Sequence, residues 1–422
     1  GSRSAAAGNC RACACAALKV EASHAPLDAA TLERAIAALE NGARFKEVYE
    51  ELLLEVSADV ADRTMQLQRE ARGAWLLLSQ VALSMQRRAK VLLIANALSG
   101  ASVPLAHFGF EVTLWDRSAL RLRFAELRNR ALVPTGVTHT VQADDGPRLP
   151  FGDGAFDLVV QENSASDEGG TPRFEPSELR RVTRGEVLLI ADNRFAYKTS
   201  SGRRGVFEVP SAFQYAARLL SAHRERSLRG YRALFRVAGL EGERAFALYP
   251  HAREFTYVVA LDAQWPRLAV GPQERRNRWK VLAHALGLFP VLAPSFAVFA
   301  TKHGGASQPS RVERILDGLA ERTGEPRPEL EHLVATRGNS ALLLTRHGAR
   351  ERVRDTGWWC VHIGLSPAQR VQLARHMEFL AGLRARFPSV PVPQPLFEGE
   401  IDGVTLTCER RSRGLPTPQF AG

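Results

Sequence analysis

The residues that most clearly indicate a binding site follow two apolar runs in the first third of the chain. Residues Ala89–Asp116 read AKVLLIANALSGASVPLAHFGFEVTLWD. This order predicts a βαβ unit in which a strand, Val91–Ala95, leads through a turn and a short helix to a second strand that ends in Asp116. The carboxyl ends of parallel strands face the ligand in open α/β sheets, so a carboxylate at this point can accept hydrogen bonds from both hydroxyls of a ribose. The segment therefore predicts a nucleoside site.

The turn of this unit is poor in glycine. Only Gly100 remains, and Ala95 and Ala97 stand where such a loop normally carries glycine. Glycine is used there because a Cβ obstructs close approach of the backbone to a ligand and because some turn positions need a positive φ. Each added methyl group costs on the order of 1 to 3 kcal/mol if it forces the ligand or the backbone aside. Two interpretations stay open: an altered loop that still binds a nucleoside, and a fold that has lost its ligand.

Strands that alternate with helices must position this turn, and they predict a parallel sheet with helices on its faces. A helical region, 28–88, precedes it, with helices at Ala29–Leu39, Phe45–Val56 and Asp59–Gln86. We expect a disordered leader at 1–27, an α/β domain at 89–303, a linker at 304–310 and a different module at 311–422. The strands expected in the α/β domain are Val91–Ala95, Glu111–Trp115, Val137–Gln142, Phe156–Gln161, Glu186–Ala191, Phe255–Leu261 and Phe296–Ala300.

Four motifs in the α/β domain occur at the spacing of one family. They are Asp116, the segment VQADDGPRLPFGDGAFDLVV, the helix and strand ELRRVTRGEVLLI that begins at Glu178, and the late helix SLRGYRALFRVAGL. Together they resemble a class I S-adenosylmethionine-dependent methyltransferase with a Rossmann-like sheet. The resemblance implies S-adenosylmethionine as cofactor, with Asp116 at the ribose and Asp144 or its neighbour Asp145 at the adenine amino group. It also implies that the cofactor meets Ala95, Ala97, Gly100 and Gln161.

Methyl transfer is an in-line displacement in which positioning does most of the work, so a base is needed only if the acceptor must lose a proton. Glu162, after the fourth strand, and Asp192, after the fifth, are the candidate bases, and residues 193–198 are a candidate lining of the acceptor site. The resemblance implies a small-molecule or glycan acceptor. Where the family has an acid in the first strand, this chain has Leu93. The alternative function is therefore a catalytically inactive scaffold or regulatory partner.

The last module resembles the amino-terminal lobe of the aminoglycoside phosphotransferase and small-molecule kinase family. The resemblance rests on ATRGNSALLLTR, on the hinge-like TCERRSRG and on Glu378, which stands where that family's helix acid pairs with a strand lysine. The corresponding strand, Trp358–Leu365, has no lysine. We expect a small α+β module with a hairpin turn at Asp402-Gly403. It is not expected to work as a kinase, because a second lobe does not follow in these residues. Contacts with a second copy or a protein partner are its expected use.

The composition of the chain indicates which partners, which location and which state of the cysteines to expect. The formal net charge of the 422 residues is +11, yet six of the 56 basic residues are Lys, and the Arg residues are spread along the chain. Nucleic acid is therefore not the expected partner. No apolar run is long enough to predict a membrane span, and a cytoplasmic location is expected. Cys10, Cys13 and Cys15 with His24 read as part of the leader, and no metal site is expected. Cys360 and Cys408 are expected as buried thiols.

Overall fold

The structure is a computed structural model in which part of the chain is described. The described residues are 29–55, 70–80, 88–142, 146–163, 174–196, 226–250, 252, 255–261, 286, 288–302, 309–335, 340–346, 359–364, 367–390 and 392–410. Within these ranges no helix is both long and apolar enough to cross a membrane. The expected leader, most of the expected linker and the start of the helix predicted at Asp59 lie outside the described residues.

The described elements alternate as the sequence predicts. The helices are α1 (Ala29–Glu40), α2 (Phe45–Glu55), a 3₁₀ segment (Glu70–Leu78), α3 (Ser102–His107), α4 (Ala119–Leu132), α5 (Pro176–Val182), α6 (Leu228–Val237), α7 (Phe289–Leu292), α8 (Arg311–Thr323) and α9 (Pro367–Arg386). The strands are β1 (Lys90–Ile94), β2 (Glu111–Asp116), β3 (Val137–Gln142), β4 (Phe156–Asn163), β5 (Thr183–Asp192), β6 (Glu241–Pro250), β7 (Phe255–Ala260), β8 (Ser295–Thr301), β9 (Glu329–Ala335), β10 (Ser340–Arg346), β11 (Trp359–Gly364), β12 (Gln394–Ile401) and β13 (Val404–Arg410).

The first five strands form a parallel sheet in the order β3-β2-β1-β4-β5. The order reverses between β1 and β4, which is the switch point where open α/β sheets bind ligands. Strand β8 follows antiparallel to β5, and β6 and β7 continue the sheet. The prediction of a Rossmann-like α/β fold is confirmed by this strand order.

The antiparallel module continues the same sheet. Its strands lie in the order β9-β10-β11-β13-β12, and β9 pairs antiparallel with β7 through Tyr257–Val334, Val258–Leu333 and Val259–His332. The expected hairpin turn is confirmed, because Asp402 and Gly403 both have positive φ, 51° and 71°. The sheet thereby runs without a break through 13 strands among the described residues.

Strand β6 and the segment before β1 differ from the sequence predictions. Strand β6 was not expected, because GERAFALYP mixes small, charged and apolar residues without clear alternation. The predicted long helix Asp59–Gln86 is described from residue 70, where it is a 3₁₀ segment with four consecutive buried side chains, Trp75 to Leu78. Four neighbours in a row cannot share one face of an α-helix. This segment instead contacts α3, α8, β7, β9 and β10 at once.

Another difference concerns the helix of the last module. Glu378, expected to face a strand, is exposed on α9. His376 on α9 reaches the sheet with its imidazole, whose Nε2 lies 3.2 Å from Oε2 of Glu409 on β13. The expected buried thiols Cys360 and Cys408 are confirmed. The likeness of this module to a kinase lobe stays a prediction.

Candidate nucleotide site

The predicted nucleoside-binding acid, Asp116, lies at the carboxyl end of β2 and is 1% exposed. Its Oδ2 accepts a hydrogen bond from the Ala97 N–H at 2.6 Å. Its Oδ1 accepts another from the Ser118 N–H at 2.9 Å, so the carboxylate also shapes the entry to α4. The turn after β1 is thus folded directly onto the acid that was expected to meet the ribose.

A side chain that the sequence analysis did not single out occupies the rest of this carboxylate. Arg121, in the first turn of α4, donates from Nη2 to Oδ1 at 2.5 Å and from Nε to Oδ2 at 3.0 Å. Ser118 caps the helix by accepting the Arg121 N–H, which fixes the position from which the guanidinium turns back. An ionised carboxylate offers about four acceptor positions. The four donors described here therefore fill the acid of Asp116.

A second arginine closes the turn from the other side. Arg128 on α4 is fully buried and donates to the main-chain oxygens of Leu98 at 3.1 Å and Ser99 at 3.2 Å. It also donates to Ser102 Oγ at 2.9 Å. Desolvation by burial lowers the pKa of Arg128 to about 9, so the guanidinium remains charged near neutral pH.

The residues of the turn do not fit a bound S-adenosylmethionine in this arrangement. Ala95, Ala97 and Gly100 are buried against the protein itself. The Ala97 N–H is used by Asp116, and the carbonyls that follow are used by Arg128. A ribose diol would have to displace Arg121 from Asp116, and the turn would have to open around Arg128. Leu93 offers no carboxylate for the cofactor's ammonium.

Of the other predicted cofactor residues, the structure describes Gln161. Gln161 is buried, and its side chain accepts the Phe174 N–H at 3.0 Å and donates to the Phe174 carbonyl at 3.4 Å. These two hydrogen bonds hold the main chain at Phe174 against β4, and the ring of Phe174 packs edge-on against Trp115. Asp144 and Asp145 lie outside the described residues. Their role at the adenine stays a prediction.

The two candidate bases occupy different environments. Glu162 is partly buried in β4, while Asp192 is buried at the end of β5 and accepts the Ser295 hydroxyl at 2.8 Å. Beside it, the Asn193 side chain donates to the carbonyls of Val291 and Ala293 at 2.7 and 2.6 Å. This part of the expected acceptor lining therefore ties the end of β5 to the loop before β8.

The LPFGDG turn, which carries part of the family resemblance, is held by Arg181, which pairs with Glu178 and with Asp153 of the turn itself. Arg181 on α5 donates to Glu178 and to the carbonyls of Leu149 and Phe151. Glu178 also accepts the Leu149 N–H at 2.7 Å. The hydrogen bond from Arg181 is the main cause that lowers the pKa of Glu178, outweighing the opposing effect of burial.

Replacing Arg181 by Met is expected to lower the free energy of unfolding by about 1 to 3 kcal/mol near neutral pH, since two carbonyls and the carboxylates of Glu178 and Asp153 lose their donor. The pKa of Glu178 is lowered on folding, so the ion pair stabilises the protein above the ordinary glutamate pKa. That stabilisation is lost as the pH falls through the lowered value. Denaturant unfolding of both proteins from pH 7 to pH 3 should show the difference shrinking. Arg184→Met, which removes an exposed pair with Asp157, should cost less than about 1 kcal/mol.

Comparison with known proteins gives fold-level likeness at low similarity. No protein-family model matches the chain, and no curated protein matches it. Among solved structures, magnesium protoporphyrin IX methyltransferase from Synechocystis PCC 6803 is 11% identical with a TM-score of 0.34, over 58% of this chain and 86% of that one. A SAM-dependent methyltransferase from Aquifex aeolicus is 12% identical with a TM-score of 0.29, over 52% of this chain and 86% of that one.

A third structure, phosphoethanolamine N-methyltransferase 2 from Haemonchus contortus with S-adenosylhomocysteine, is 14% identical with a TM-score of 0.32. It is matched over 54% of this chain, which spans about half, 51%, of its length. At these identities and scores the likeness decides nothing about activity.

Proposed function

We propose that the protein is a methyltransferase-like scaffold whose nucleotide site is closed by its own side chains. One observation carries this proposal: both oxygens of Asp116 are engaged by Ala97, Ser118 and Arg121. In an enzyme that binds S-adenosylmethionine through this acid, the same oxygens would receive the ribose hydroxyls. A guanidinium that donates two hydrogen bonds to a carboxylate in a largely buried site binds it more strongly than two neutral hydroxyls do.

Opening the site would require more than one change. Displacing Arg121 breaks its largely buried ion pair with Asp116. For a ligand to contact the turn, the carbonyls of Leu98 and Ser99 must also lose their hydrogen bonds from Arg128. Buried polar groups left without partners cost about 1 to 3 kcal/mol each. A cofactor with micromolar affinity contributes about 8 kcal/mol in total. Two such losses, about 2 to 6 kcal/mol together, would weaken that affinity by roughly 30-fold to 10⁴-fold.

The proposed scaffold is built on one continuous sheet. Through the β7–β9 pairing, the α/β half and the antiparallel module share one sheet, and the 3₁₀ segment packs against both. A closed nucleotide site does not impair such a scaffold, because a scaffold acts by presenting surfaces to other molecules. We propose that the antiparallel module, with its likeness to a kinase lobe, supplies the surface for a protein partner or a second copy.

A second candidate is a divergent methyltransferase in which Arg121 acts as a gate. It is favoured by the position of Asp116 at the end of β2 and by the Arg121 side chain, which is 17% exposed. In that case the substrate class is a small molecule or a glycan, and Glu162 or Asp192 would accept the proton. The two candidates differ in what happens when Arg121 is removed.

Equilibrium dialysis of the full chain with radiolabelled S-adenosylmethionine separates the candidates. The wild type, Arg121→Ala and Asp116→Ala are all expected to leave the label at background up to about 1 mM, since Arg128 still closes the turn. Arg123→Ala serves as the matched control, because Arg123 lies on the same helix but pairs with Glu40 and Glu126 rather than with Asp116. Saturable binding that Asp116→Ala abolishes would overturn the scaffold and favour the enzyme, and tighter binding by Arg121→Ala would identify that residue as its gate.

A further inference from the structure

A cluster of metal-ligating side chains lies on the antiparallel module, on the face of the sheet that α9 covers. Cys360 and His362 alternate along β11, and Glu409 on β13 is paired directly with Cys360. Alternate residues of a strand share a face, so all three side chains point to the same side. His376 approaches them from α9. None of these residues belongs to the nucleotide site.

The donor atoms are already close together. One ligand atom from each of Cys360, His362 and Glu409 lies within 4.8 Å of the other two. The Nε2 of His362 is 3.4 Å from Glu409 Oε1, and the Nε2 of His376 is 3.2 Å from Glu409 Oε2. Two imidazoles thus flank the two oxygens of a single carboxylate.

We propose that Cys360, His362, His376 and Glu409 form a binding site for one divalent zinc ion. A thiolate, two imidazole nitrogens and a carboxylate oxygen are donors that zinc takes in tetrahedral sites, with bonds of about 2.0 to 2.3 Å. Such bonds place neighbouring donor atoms roughly 3.3 to 3.8 Å apart. The two His–Glu separations fall close to that range, so side-chain rotation of modest size brings the set onto one ion.

The chemistry of the donor set favours zinc over other common ions. A soft thiolate among imidazoles disfavours magnesium and calcium, which prefer oxygen ligands alone. Cys360 and Glu409 are buried, while His362 and His376 are partly exposed, so an ion has a route in from the histidine side. With all four positions taken by protein, the site would be structural and would fasten α9 to β11 and β13.

The experiment uses the full chain with Cys10, Cys13 and Cys15 replaced by Ser, because these cysteines could bind metal independently. The protein is loaded with ZnCl₂, dialysed and assayed for zinc by atomic emission. We expect one zinc per chain, at least a tenfold loss of affinity in Cys360→Ser, and no change in Cys408→Ser. Cys408 is the matched control, because it is also a buried thiol, and its side chain packs in the apolar cluster on the opposite face.

Cobalt(II) provides a second readout in the same background. We expect intense visible absorption of tetrahedral cobalt and a thiolate-to-cobalt band that Cys360→Ser removes. If Cys360→Ser fails to fold, His376→Gln replaces it, since that side chain is 39% exposed and its loss should weaken zinc binding at least tenfold without unfolding the module. Zinc at well below one per chain, or equal zinc in wild type, Cys360→Ser and His376→Gln, would show that the cluster is only a hydrogen-bonded polar group.

Discussion

Replacing Arg128 by Met is expected to lower the free energy of unfolding by about 3 kcal/mol. The variant keeps the apolar stem but removes the donors that satisfy the carbonyls of Leu98 and Ser99 in the turn, while the Ser102 hydroxyl keeps its hydrogen bonds with Asn129. Each buried acceptor left without a partner costs about 1 to 3 kcal/mol. Part of this cost is offset, because a buried charge whose pKa is lowered to about 9 is no longer desolvated. Equilibrium denaturation in urea measures the net effect.

The control for this variant is Arg130→Met on the same helix. Arg130 makes an exposed pair with Glu126, and its removal should change the free energy of unfolding by less than about 1 kcal/mol. An Arg128→Met protein as stable as Arg130→Met would contradict the closed turn, because it would mean that Arg128 does not satisfy the turn carbonyls in solution.

Replacing Trp75 by Ala is expected to cost about 3 to 5 kcal/mol, the usual range for deleting a buried aromatic side chain. Trp75 is 1% exposed in the 3₁₀ segment. That segment contacts α3 in the α/β half and β9 and β10 in the antiparallel module. The cavity should therefore destabilise both halves together. Hydrogen exchange followed at β2 and β11 should report a similar fall in protection for the two strands.

Val237→Ala controls for apolar truncation away from the core, since Val237 is 88% exposed and its loss should change stability by less than about 0.5 kcal/mol. Loss of protection in β2 while β11 keeps its own would contradict the account, because the two halves would then unfold as separate units rather than as one platform.

Much of the fold could be predicted from local sequence patterns. Buried parallel strands such as Val91–Ala95 are continuous apolar runs, and the Asp402-Gly403 turn has the residues that tolerate positive φ. The helix Arg311–Thr323 has local signals at both ends, because Ser310 and Glu313 form a capping box and Gly324 ends it in the left-handed conformation. Each of these signals lies within a few residues of the element that it determines.

What could not be predicted depends on residues far apart in the chain. The pairing of β7 with β9 joins segments about 70 residues apart, and nothing in Tyr257–Val259 indicates its partner. The closure of the nucleotide site likewise depends on Arg121 and Arg128, which appear in the sequence as two of several arginines on α4. The sequence located the acid and the altered turn. Only the structure shows which side chains meet them.

The most direct test of the closed nucleotide site is a calorimetric titration of the wild-type chain with S-adenosylhomocysteine, which many methyltransferases bind through the same contacts as the cofactor. The account predicts no saturable heat up to about 1 mM ligand, because Asp116 remains paired with Arg121 and the turn remains bound to Arg128. A saturable isotherm with a dissociation constant in the micromolar range would contradict it and would identify the protein as a nucleotide-binding enzyme.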